Sequence, residues 1–375
     1  MDKRVIFAVA GSGKTTHIVN SLSLDKRSLV ITYTENNYNH LRHKIIEKFG
    51  TIPENITVQT YFTFLYSFCY KPFLHYSWSS KGINWDIPPA FTLRLKRSDR
   101  RFYVDGHSRL YSNRIAKLVV DNVIADVRAR LEKYYDSFLL DEVQDFAGHD
   151  FNLLKELCKS DLDILLVGDF YQHTFDTSRD GPTNRNLFDD FTRYQKHFSD
   201  NGIIVDKDTL SHSYRCSSSV CAFVKKNLGI NIESHKEEET GVYYLDGEKT
   251  LIEIFYDDNV VKLFFKEHIK YPCYSNNWGK SKGLDKYNDV CVSLYPKAFN
   301  AYMSGNFSKL PASSRNKLYV ACTRANRCLY FVNEADMKDF PCRIKCLFAL
   351  VVLHKGFVGS RRYQVTIDFE DAGSA

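Results

Sequence analysis

The chain has 375 residues, of which 51 are basic and 45 are acidic, so its formal net charge is only +6. A chain of this length can bury a substantial core, and we expect it to form two domains. The small net charge excludes a uniformly basic surface, so any nucleic-acid-binding surface must be a local patch. No apolar run approaches the length of a membrane-spanning helix; the run at residues 347–353, for example, has only seven residues.

Short β-branched runs alternate with stretches of helical periodicity along the chain. The predicted strands are 5–10, 28–33, 56–59, 138–140, 164–167, 242–245, 289–294 and 328–332. The predicted helices include 38–49, 114–134, 152–159 and 217–228. This alternation favours an α/β fold with parallel sheets and crossover helices.

The first motif lies at residues 8–15, Ala-Val-Ala-Gly-Ser-Gly-Lys-Thr, between a predicted strand and a helical stretch. This order is typical of a phosphate-binding loop, in which backbone N–H groups and the helix N-terminus face the phosphates. Lys14 would contact the outer phosphates and Thr15 would bind Mg²⁺. The general pattern has glycine where Ala8 stands, and short glycine-lysine strings also arise by chance, so this segment alone does not establish a nucleotide site.

The second motif, at residues 137–145, is an apolar strand that ends in two consecutive carboxylates. A metal-bound NTPase needs such a pair: Asp141 would hold Mg²⁺ through a water molecule, and Glu142 would polarise the attacking water as general base. A solvated acidic turn is the alternative for an isolated Asp-Glu pair. The phosphate-loop motif upstream favours the catalytic interpretation.

Residues 71–113 break the alternation and are predicted to be an inserted subdomain. They contain many aromatic residues, the adjacent Pro88 and Pro89, and the basic run Arg-Leu-Lys-Arg-Ser-Asp-Arg-Arg at 94–101. A DNA-backbone contact and a solvated loop are equally good interpretations of this basic run.

Six further segments occur in a fixed order. They are 30–34 (Val-Ile-Thr-Tyr-Thr), 60–64 (Thr-Tyr-Phe-Thr-Phe), 165–175 (Leu-Leu-Val-Gly-Asp-Phe-Tyr-Gln-His-Thr-Phe), 210–216 (Leu-Ser-His-Ser-Tyr-Arg-Cys), 280–285 (Lys-Ser-Lys-Gly-Leu-Asp) and 317–325 (Lys-Leu-Tyr-Val-Ala-Cys-Thr-Arg-Ala). With the two motifs above, they resemble the superfamily 1 DNA helicases of the UvrD/Rep/PcrA class over about residues 1–335. The resemblance implies two RecA-like P-loop NTPase domains, 1–205 with a reduced 1B insertion at 71–113 and 206–340, followed by an extension at 341–375 with no assigned role.

The same resemblance implies a set of residues around a nucleotide. The expected catalytic residues are Glu142, Lys14, the γ-phosphate-sensing Gln172, and Arg215 and Arg324, which would neutralise phosphate charge when the cleft closes. The expected nucleotide-binding residues are Ala10, Gly11, Ser12, Gly13, Lys14, Thr15, Thr16, the base-stacking Tyr214, and Asp285 near the ribose, where the family usually has glutamate. The expected Mg²⁺ ligands are Thr15 and Asp141. For either arginine, a surface ion pair is the alternative.

The resemblance also implies contacts to single-stranded DNA. Proteins that bind single strands stack bases on aromatic faces and line the backbone path with polar groups and cations. The positions that match are Tyr33, Thr34, Thr60, Phe62 and Phe175. Thr177 stands where the family usually has a second aromatic residue. For Phe62, as for Phe64, a core position is the alternative.

Departures from the family pattern carry predictions of their own. The glutamine that reads adenine has no counterpart among the seven residues before Ala8, and Thr16 replaces an arginine that often flanks the base, so weak base selectivity is expected. Gly279 stands where motif V usually begins with histidine, which would alter coupling between DNA and nucleotide. Only 66 residues separate Arg215 from Lys282, which leaves no room for a duplex-gripping 2B subdomain.

Among compact relatives, the chain resembles the helicase-like subunit of Gabija-type antiphage systems in residues 60–73, in residues 138–145 (Phe-Leu-Leu-Asp-Glu-Val-Gln-Asp) and in the missing 2B domain. This implies an enzyme that hydrolyses ATP or other NTPs with Mg²⁺ while it moves 3′ to 5′ on single-stranded DNA or senses it. It also implies a nuclease or OLD-type ATPase as partner. The alternative is a non-translocating NTPase switch that recognises DNA ends and regulates a partner nuclease. Gln172, Arg215 and Arg324 in motif context disfavour a small-molecule P-loop kinase.

The ten cysteines are dispersed and form no Cys-x-x-Cys pair; Cys342 and Cys346 come nearest. Reduced thiols are therefore expected in preference to zinc or disulfides. The phosphate-loop motif begins at residue 8 and leaves no room for a signal peptide, so a cytoplasmic protein is expected.

Overall fold

The computed structural model describes residues 1–174, 178–238, 240–284 and 286–337. The predictions made for Phe175, Thr177, Asp285, the Cys342 and Cys346 pair and the extension at 341–375 lie outside these residues.

The described chain alternates strands and helices. The strands are β1 (Lys3–Phe7), β2 (Ser28–Thr32), β3 (Ile56–Thr60), β4 (Gly82–Asn84), β5 (Arg109–Tyr111), β6 (Ser137–Asp141), β7 (Asp163–Gly168), β8 (Ile204–Asp206), β9 (His212–Ser213), β10 (Glu233–Ser234), β11 (Val242–Tyr244), β12 (Val260–Phe264), β13 (Ser275–Asn277), β14 (Asp289–Leu294) and β15 (Leu329–Asn333). The α-helices are α1 (Lys14–Ser21), α2 (Glu35–Phe49), α3 (Tyr61–Thr63), α4 (Lys71–Trp78), α5 (Arg100–Tyr103), α6 (Ile115–Tyr134), α7 (Gly148–Leu157), α8 (Phe191–Ser199), α9 (Ser218–Leu228), α10 (Glu248–Tyr256), α11 (Pro296–Met303), α12 (Ala312–Cys322) and α13 (Glu334–Met337).

The first sheet has six parallel strands in the order β3-β2-β6-β7-β1-β8. Its central strands are apolar on both faces, and β2 and β6 are buried along their whole length, as expected for a parallel sheet covered by helices. Because all strands run the same way, their carboxyl ends lie along one edge of the sheet. The residues after β3, β2, β6, β7 and β1 therefore share that edge.

The second sheet has five parallel strands in the order β11-β15-β14-β12-β13. With the first sheet, it confirms the predicted α/β fold class with parallel sheets. Its strand β12 was not among the predicted strands. The reason is Lys262, which interrupts the apolar run yet is fully buried, with its ammonium group donating to the Asp257 carbonyl at 2.8 Å.

Most predicted elements correspond to observed ones within a few residues. The eight predicted strands match β1, β2, β3, β6, β7, β11, β14 and β15, and the four predicted helices match α2, α6, α7 and α9. Helix α2 begins earlier than predicted, at Glu35, because the Thr34 hydroxyl accepts a hydrogen bond from the Asn37 amide and caps the helix.

The segment between β3 and α6 contains the parallel pair of β4 and β5. A seven-residue π-helical stretch, Phe64–Tyr70, joins α3 to α4, and Ala90–Arg94 forms a 3₁₀ helix. The domain bounds and the 71–113 insertion given above remain predictions.

The two sheets meet at the loop that follows β1. Val9 and Ala10 pack in the same apolar cluster as Leu318 and Tyr319 of α12. The Asn316 side chain of α12 also donates to the His173 carbonyl at 3.2 Å, after β7. Residues of both sheets therefore surround the phosphate-loop motif.

Candidate functional site

The loop between β1 and α1 has the backbone form of a phosphate cradle. Gly11 and Gly13 have φ of +72° and +84°, which other residues rarely adopt. A Cβ on Gly11 would lie 2.6 Å from the Arg215 Cβ. Arg215 belongs to the second half of the chain, the half that contains the second sheet, so this half also leaves no space for a side chain at Gly11. The Ser12 hydroxyl is buried and has no hydrogen-bond partner among the described residues. A phosphate oxygen is a fitting acceptor for it, because buried hydroxyl groups are normally hydrogen-bonded.

The predicted nucleotide residues of this loop differ in exposure. Ala10 and Ser12 are buried, Thr15 is half-buried in the first turn of α1, and Thr16 is exposed. The Ala10 amide already donates to the Tyr319 hydroxyl at 2.9 Å, so it is engaged by α12.

The carboxylate pair at the end of β6 is buried close to this loop. Glu142 has φ of +60°, a left-handed conformation that is uncommon outside glycine and clusters at functional sites. Its amide donates to the Asp141 carboxylate at 3.0 Å. Its own carboxylate lies 3.9 Å from the Lys14 ammonium and accepts a hydrogen bond from the Gln144 side chain.

Lys282, from the second half of the chain, reaches into this carboxylate cluster. Its ammonium group lies 2.7 and 3.0 Å from the two oxygens of Asp145, and 3.6 Å from Glu142. Burial would lower the pKa of Lys282, but Asp145 and Glu142 outweigh this and raise it. Lys282 therefore stays charged and links both halves of the chain through the acidic motif.

The pKa values of the two adjacent carboxyl groups, Asp141 and Glu142, are shifted in opposite directions. Burial and the charge of Glu142 raise the pKa of Asp141. Burial would also raise the pKa of Glu142, but the charges of Lys14 and Lys282 outweigh it and hold that pKa well below its ordinary value. Glu142 is thus the ionised partner at neutral pH, which is the state that a general base requires.

A hydrogen-bond chain continues from the loop to Gln172. Tyr319 donates its hydroxyl proton to Asp169 at 2.9 Å, and the Gln172 side chain donates to the same carboxylate oxygen at 2.9 Å. The Asp169 amide donates to the Gln144 side chain at 3.0 Å. Burial raises the pKa of Asp169 to about 6. Through Asp169, Gln172 is therefore joined to Tyr319 of the other half.

Tyr214 and Arg215 cover the loop from the side of the second sheet. The Tyr214 amide donates to the Gly11 carbonyl at 2.9 Å, and its ring is 62% exposed and stacks on His235 with centroids 4.0 Å apart. Arg215 donates to the Thr323 carbonyl at 3.3 Å. An exposed ring beside a phosphate loop is suited to stacking on a nucleobase.

Arg324 lies next to the carbonyl that Arg215 contacts, but it is buried. Its guanidinium donates to the Val320 carbonyl at 3.3 Å and to the Leu284 carbonyl at 3.4 Å. Because it is only 1% exposed, a role in phosphate contact requires a change of its position.

The predicted DNA-contacting residues lie along the same sheet edge, after β2 and β3. The Tyr33 ring stacks on Tyr61 with centroids 5.8 Å apart. Thr34 and Thr60 use their hydroxyls as helix caps for α2 and α3. The Phe62 ring is half-buried against Tyr66 and Trp85.

The donor set around Asp141 is compatible with Mg²⁺. Thr15 and Asp141 offer a hydroxyl and a carboxylate, and Mg²⁺ is usually held by one or two such ligands together with substrate phosphates and water. Within the described residues, no group of three or more His, Cys, Asp and Glu side chains could hold a metal ion by itself.

The sequence predicts no role for four residues of the cluster, although each lies in one of the motifs. They are Asp145, Asp169, Lys282 and Tyr319. Their partners are distant in sequence, so the only available signal was their membership of those motifs.

Among the described helices, none combines the length and apolarity that a bilayer crossing would need.

Comparison with known proteins gave matches to solved structures alone. No family model and no curated protein matches the chain. An arterivirus nonstructural protein 10 (helicase) in complex with DNA has 15% identity and a TM-score of 0.48, covering 90% of this chain and 62% of that one. The arterivirus nonstructural protein 10 (helicase) alone has 15% identity and a TM-score of 0.47, covering 90% and 61%. The PRRSV helicase has 13% identity and a TM-score of 0.45, covering 88% and 52%. The chain thus spans less than two thirds of each, and all three TM-scores lie below 0.5.

Proposed function

We propose that the chain is a DNA-dependent NTPase of the superfamily 1 helicase type that hydrolyses ATP or other NTPs with Mg²⁺. One observation carries the proposal: Lys282 and Tyr319 of the second half reach the carboxylates and the phosphate loop of the first half. An NTPase that works as a motor needs such contacts, because hydrolysis must be sensed by both halves of the cleft.

The proposed chemistry follows from the residues at the loop. Mg²⁺ supplies charge neutralisation for the nucleotide phosphates when it is bound. Lys14 and the Ser12 hydroxyl bind phosphate oxygens. Glu142 accepts a proton from the attacking water while the oxygen of that water bonds to the γ-phosphorus. The bond from the γ-phosphorus to the bridging oxygen breaks, which gives a nucleoside diphosphate and inorganic phosphate.

The contacts of Glu142 also support dependence on a nucleic acid. Its carboxylate accepts a hydrogen bond from Gln144 and lies near the ammonium groups of Lys14 and Lys282, whose charges stabilise the ionised form, so it accepts a proton poorly. Hydrolysis therefore requires these contacts to rearrange. A DNA strand bound along the sheet edge that carries Tyr33 and Phe62 would lie beside the end of β6. It is therefore well placed to promote the rearrangement of the Glu142 contacts.

We further propose translocation, 3′ to 5′, on single-stranded DNA, together with a nuclease or OLD-type ATPase partner and a role in antiphage defence. These rest on the motif resemblance. The alternative is an NTPase switch that recognises DNA ends without travelling, and the contacts of Glu142 with Gln144 and the two lysines suit a switch as well as a motor.

Two measurements test the proposal. The first is NTP hydrolysis with and without single-stranded DNA, with Glu142→Gln as the inactive control. Stimulation of at least tenfold is expected, and equal rates with and without DNA would contradict DNA dependence. The second is displacement of streptavidin from end-biotinylated single strands. A translocase displaces it in an NTP-dependent way from one end, whereas a switch leaves it bound.

A further inference from the structure

Four large apolar side chains that lie close together in sequence are exposed in the segment between β3 and α6. Trp85 is 67% exposed, Ile87 89%, Phe91 59% and Leu93 49%, all within nine residues of sequence. We call these four residues the insertion face. Clustered exposed apolar residues, unlike single ones, mark binding surfaces.

Basic residues follow the insertion face directly. Residues 81–101 contain six basic and two acidic residues. Arg101 pairs with Asp99 at 2.7 Å, whereas Arg94, Lys96 and Arg97 are exposed and form no ion pair with other described residues. Exposed aromatic and basic groups within one short segment match the chemistry of a single nucleic-acid strand, which presents stacked bases and a phosphate backbone.

The insertion face is held on a fixed support, which argues against a merely solvated loop. Arg114 is buried and donates to the Thr92 hydroxyl at 2.9 Å, and it forms a two-point pair with Asp180 at 2.7 and 2.9 Å. Thr92 is thereby fixed inward within the 3₁₀ helix. Its neighbours Phe91 and Leu93 are exposed, so two apolar side chains flank an anchored residue.

Trp85 connects the insertion face to the edge of the first sheet. Its ring centroid lies 4.5 Å from that of Phe62, with the planes tilted by 46°. Phe62 stands just beyond the end of β3 and stacks on Tyr66. Because the Trp85 and Phe62 rings are already in contact, a base has no space between them, and the outer face of Trp85 is the surface on which it can stack.

We infer that the insertion face and the cations Arg94, Lys96 and Arg97 bind single-stranded nucleic acid, with Trp85 as a base-stacking platform. The strand bound at the sheet edge would continue over Trp85 and then along these cations. This inference rests on the proposed function, since it extends the same strand beyond Phe62. A protein partner on this surface is an outcome that the test below detects as a failure.

The first experiment measures binding of a 30-nucleotide oligo-dT and a 30-nucleotide oligo-U by fluorescence anisotropy. Trp85→Ala is expected to raise the Kd by about 5- to 150-fold, the effect of losing one base stack. Trp85→Phe keeps a ring and should recover most of the affinity. Ile269→Ser, at an apolar residue that is 84% exposed on the second half, is the matched control and should bind as wild type does. A loss of affinity for either oligonucleotide in Trp85→Ala supports the inference, and the pair shows whether the surface distinguishes DNA from RNA.

The second experiment tests the cations through salt. Arg94→Glu/Lys96→Glu/Arg97→Glu should reduce the slope of log Kd against log salt concentration, by about 0.7 for each phosphate that the variant no longer neutralises. Lys297→Glu/Lys309→Glu, exposed on the second half, should leave the slope unchanged.

The outcomes separate this inference from the proposed function. If wild type binds but Trp85→Ala and the triple variant bind equally well, the insertion face is not part of the track, and the proposed function stands. If wild type binds neither oligonucleotide, both fail. Circular dichroism and thermal unfolding check that each variant folds; if Trp85→Ala does not, Ile87→Ser and Trp85→Phe replace it, with a smaller expected rise in Kd.

Discussion

The ammonium group of Lys282 lies 2.7 Å from the Asp145 carboxylate, across 137 residues of sequence and between the two halves of the molecule. Both side chains are almost completely enclosed, with side-chain exposures of 14% and 2%. Burial raises the pKa of Asp145, and the charge of Lys282 opposes that rise. This pair therefore joins the acidic motif to the second half of the molecule.

Lys282→Met is expected to destabilise the protein because it leaves Asp145 buried without its counter-charge. Breaking a buried pair by removing one partner costs about 3–5 kcal/mol. The double variant Lys282→Met/Asp145→Asn should recover more than half of that stability, since no charge is left unpaired. Urea unfolding of the four proteins in the cycle measures this. Additive effects would show that the two groups do not interact.

Glu142→Gln should lower the rate of NTP hydrolysis by about 100-fold or more while nucleotide binding is retained, because the base is removed but Asp141 remains. Lys14→Ala should instead weaken nucleotide affinity. Steady-state hydrolysis and binding of a fluorescent nucleotide separate the two effects. A wild-type rate in Glu142→Gln would show that another group activates the water.

Base selectivity should be weak. Stacking on the exposed ring of Tyr214 does not depend on which base is present, so kcat/KM for ATP, GTP, CTP and UTP should agree within about tenfold, or roughly 1.4 kcal/mol. Tyr214→Ala should raise KM for all four in parallel. A preference for ATP above a hundredfold would reveal an adenine-reading group elsewhere.

Stability should depend on pH through Asp150. Burial raises its pKa to about 7, although Tyr61 donates to it at 2.8 Å. The folded protein therefore holds a proton that the unfolded chain, with a pKa of about 3.9, releases. The stabilisation is complete below about pH 4 and is lost as the pH rises through about 7.

Asp150→Asn keeps an acceptor oxygen but cannot ionise, so it should gain stability relative to wild type as the pH rises. The expected change is about 1.4 kcal/mol per pH unit between roughly pH 4 and 7. Unfolding free energies at several pH values test this, with the exposed Asp126→Asn following wild type. A difference that is independent of pH would rule out titration of Asp150.

Duplex unwinding by the isolated chain should be weak or absent. Opening DNA costs a mean of about 1.4 kcal/mol per base-pair step, and the 66 residues between Arg215 and Lys282 leave no room for a subdomain that would grip the duplex. Forked substrates with a 3′ single-stranded tail provide the most favourable test. Processive unwinding of long duplexes without a partner would contradict this expectation.

The sequence by itself determined the alternation of strands and helices, the fold class and the local motifs. These depend on short-range properties: the glycines that permit φ of +72° and +84° in the loop, the apolar runs of β2 and β6, and the capping hydroxyl of Thr34. Such features act within a few residues of one another, so they can be recognised in order along the chain. The proposed roles of the motif residues remain predictions.

Only the tertiary structure decided which of these segments touch. The pairing of Lys282 with Asp145, the chain from Ala10 through Tyr319 to Asp169, and the packing of Trp85 on Phe62 join residues far apart in sequence. Strand β12 was missed for a related reason: Lys262 is charged in sequence, but its ammonium group is satisfied by a carbonyl inside the fold. A local sequence pattern does not indicate which side chain of another helix or strand a residue will contact. Strand order and packing decide whether the two side chains meet.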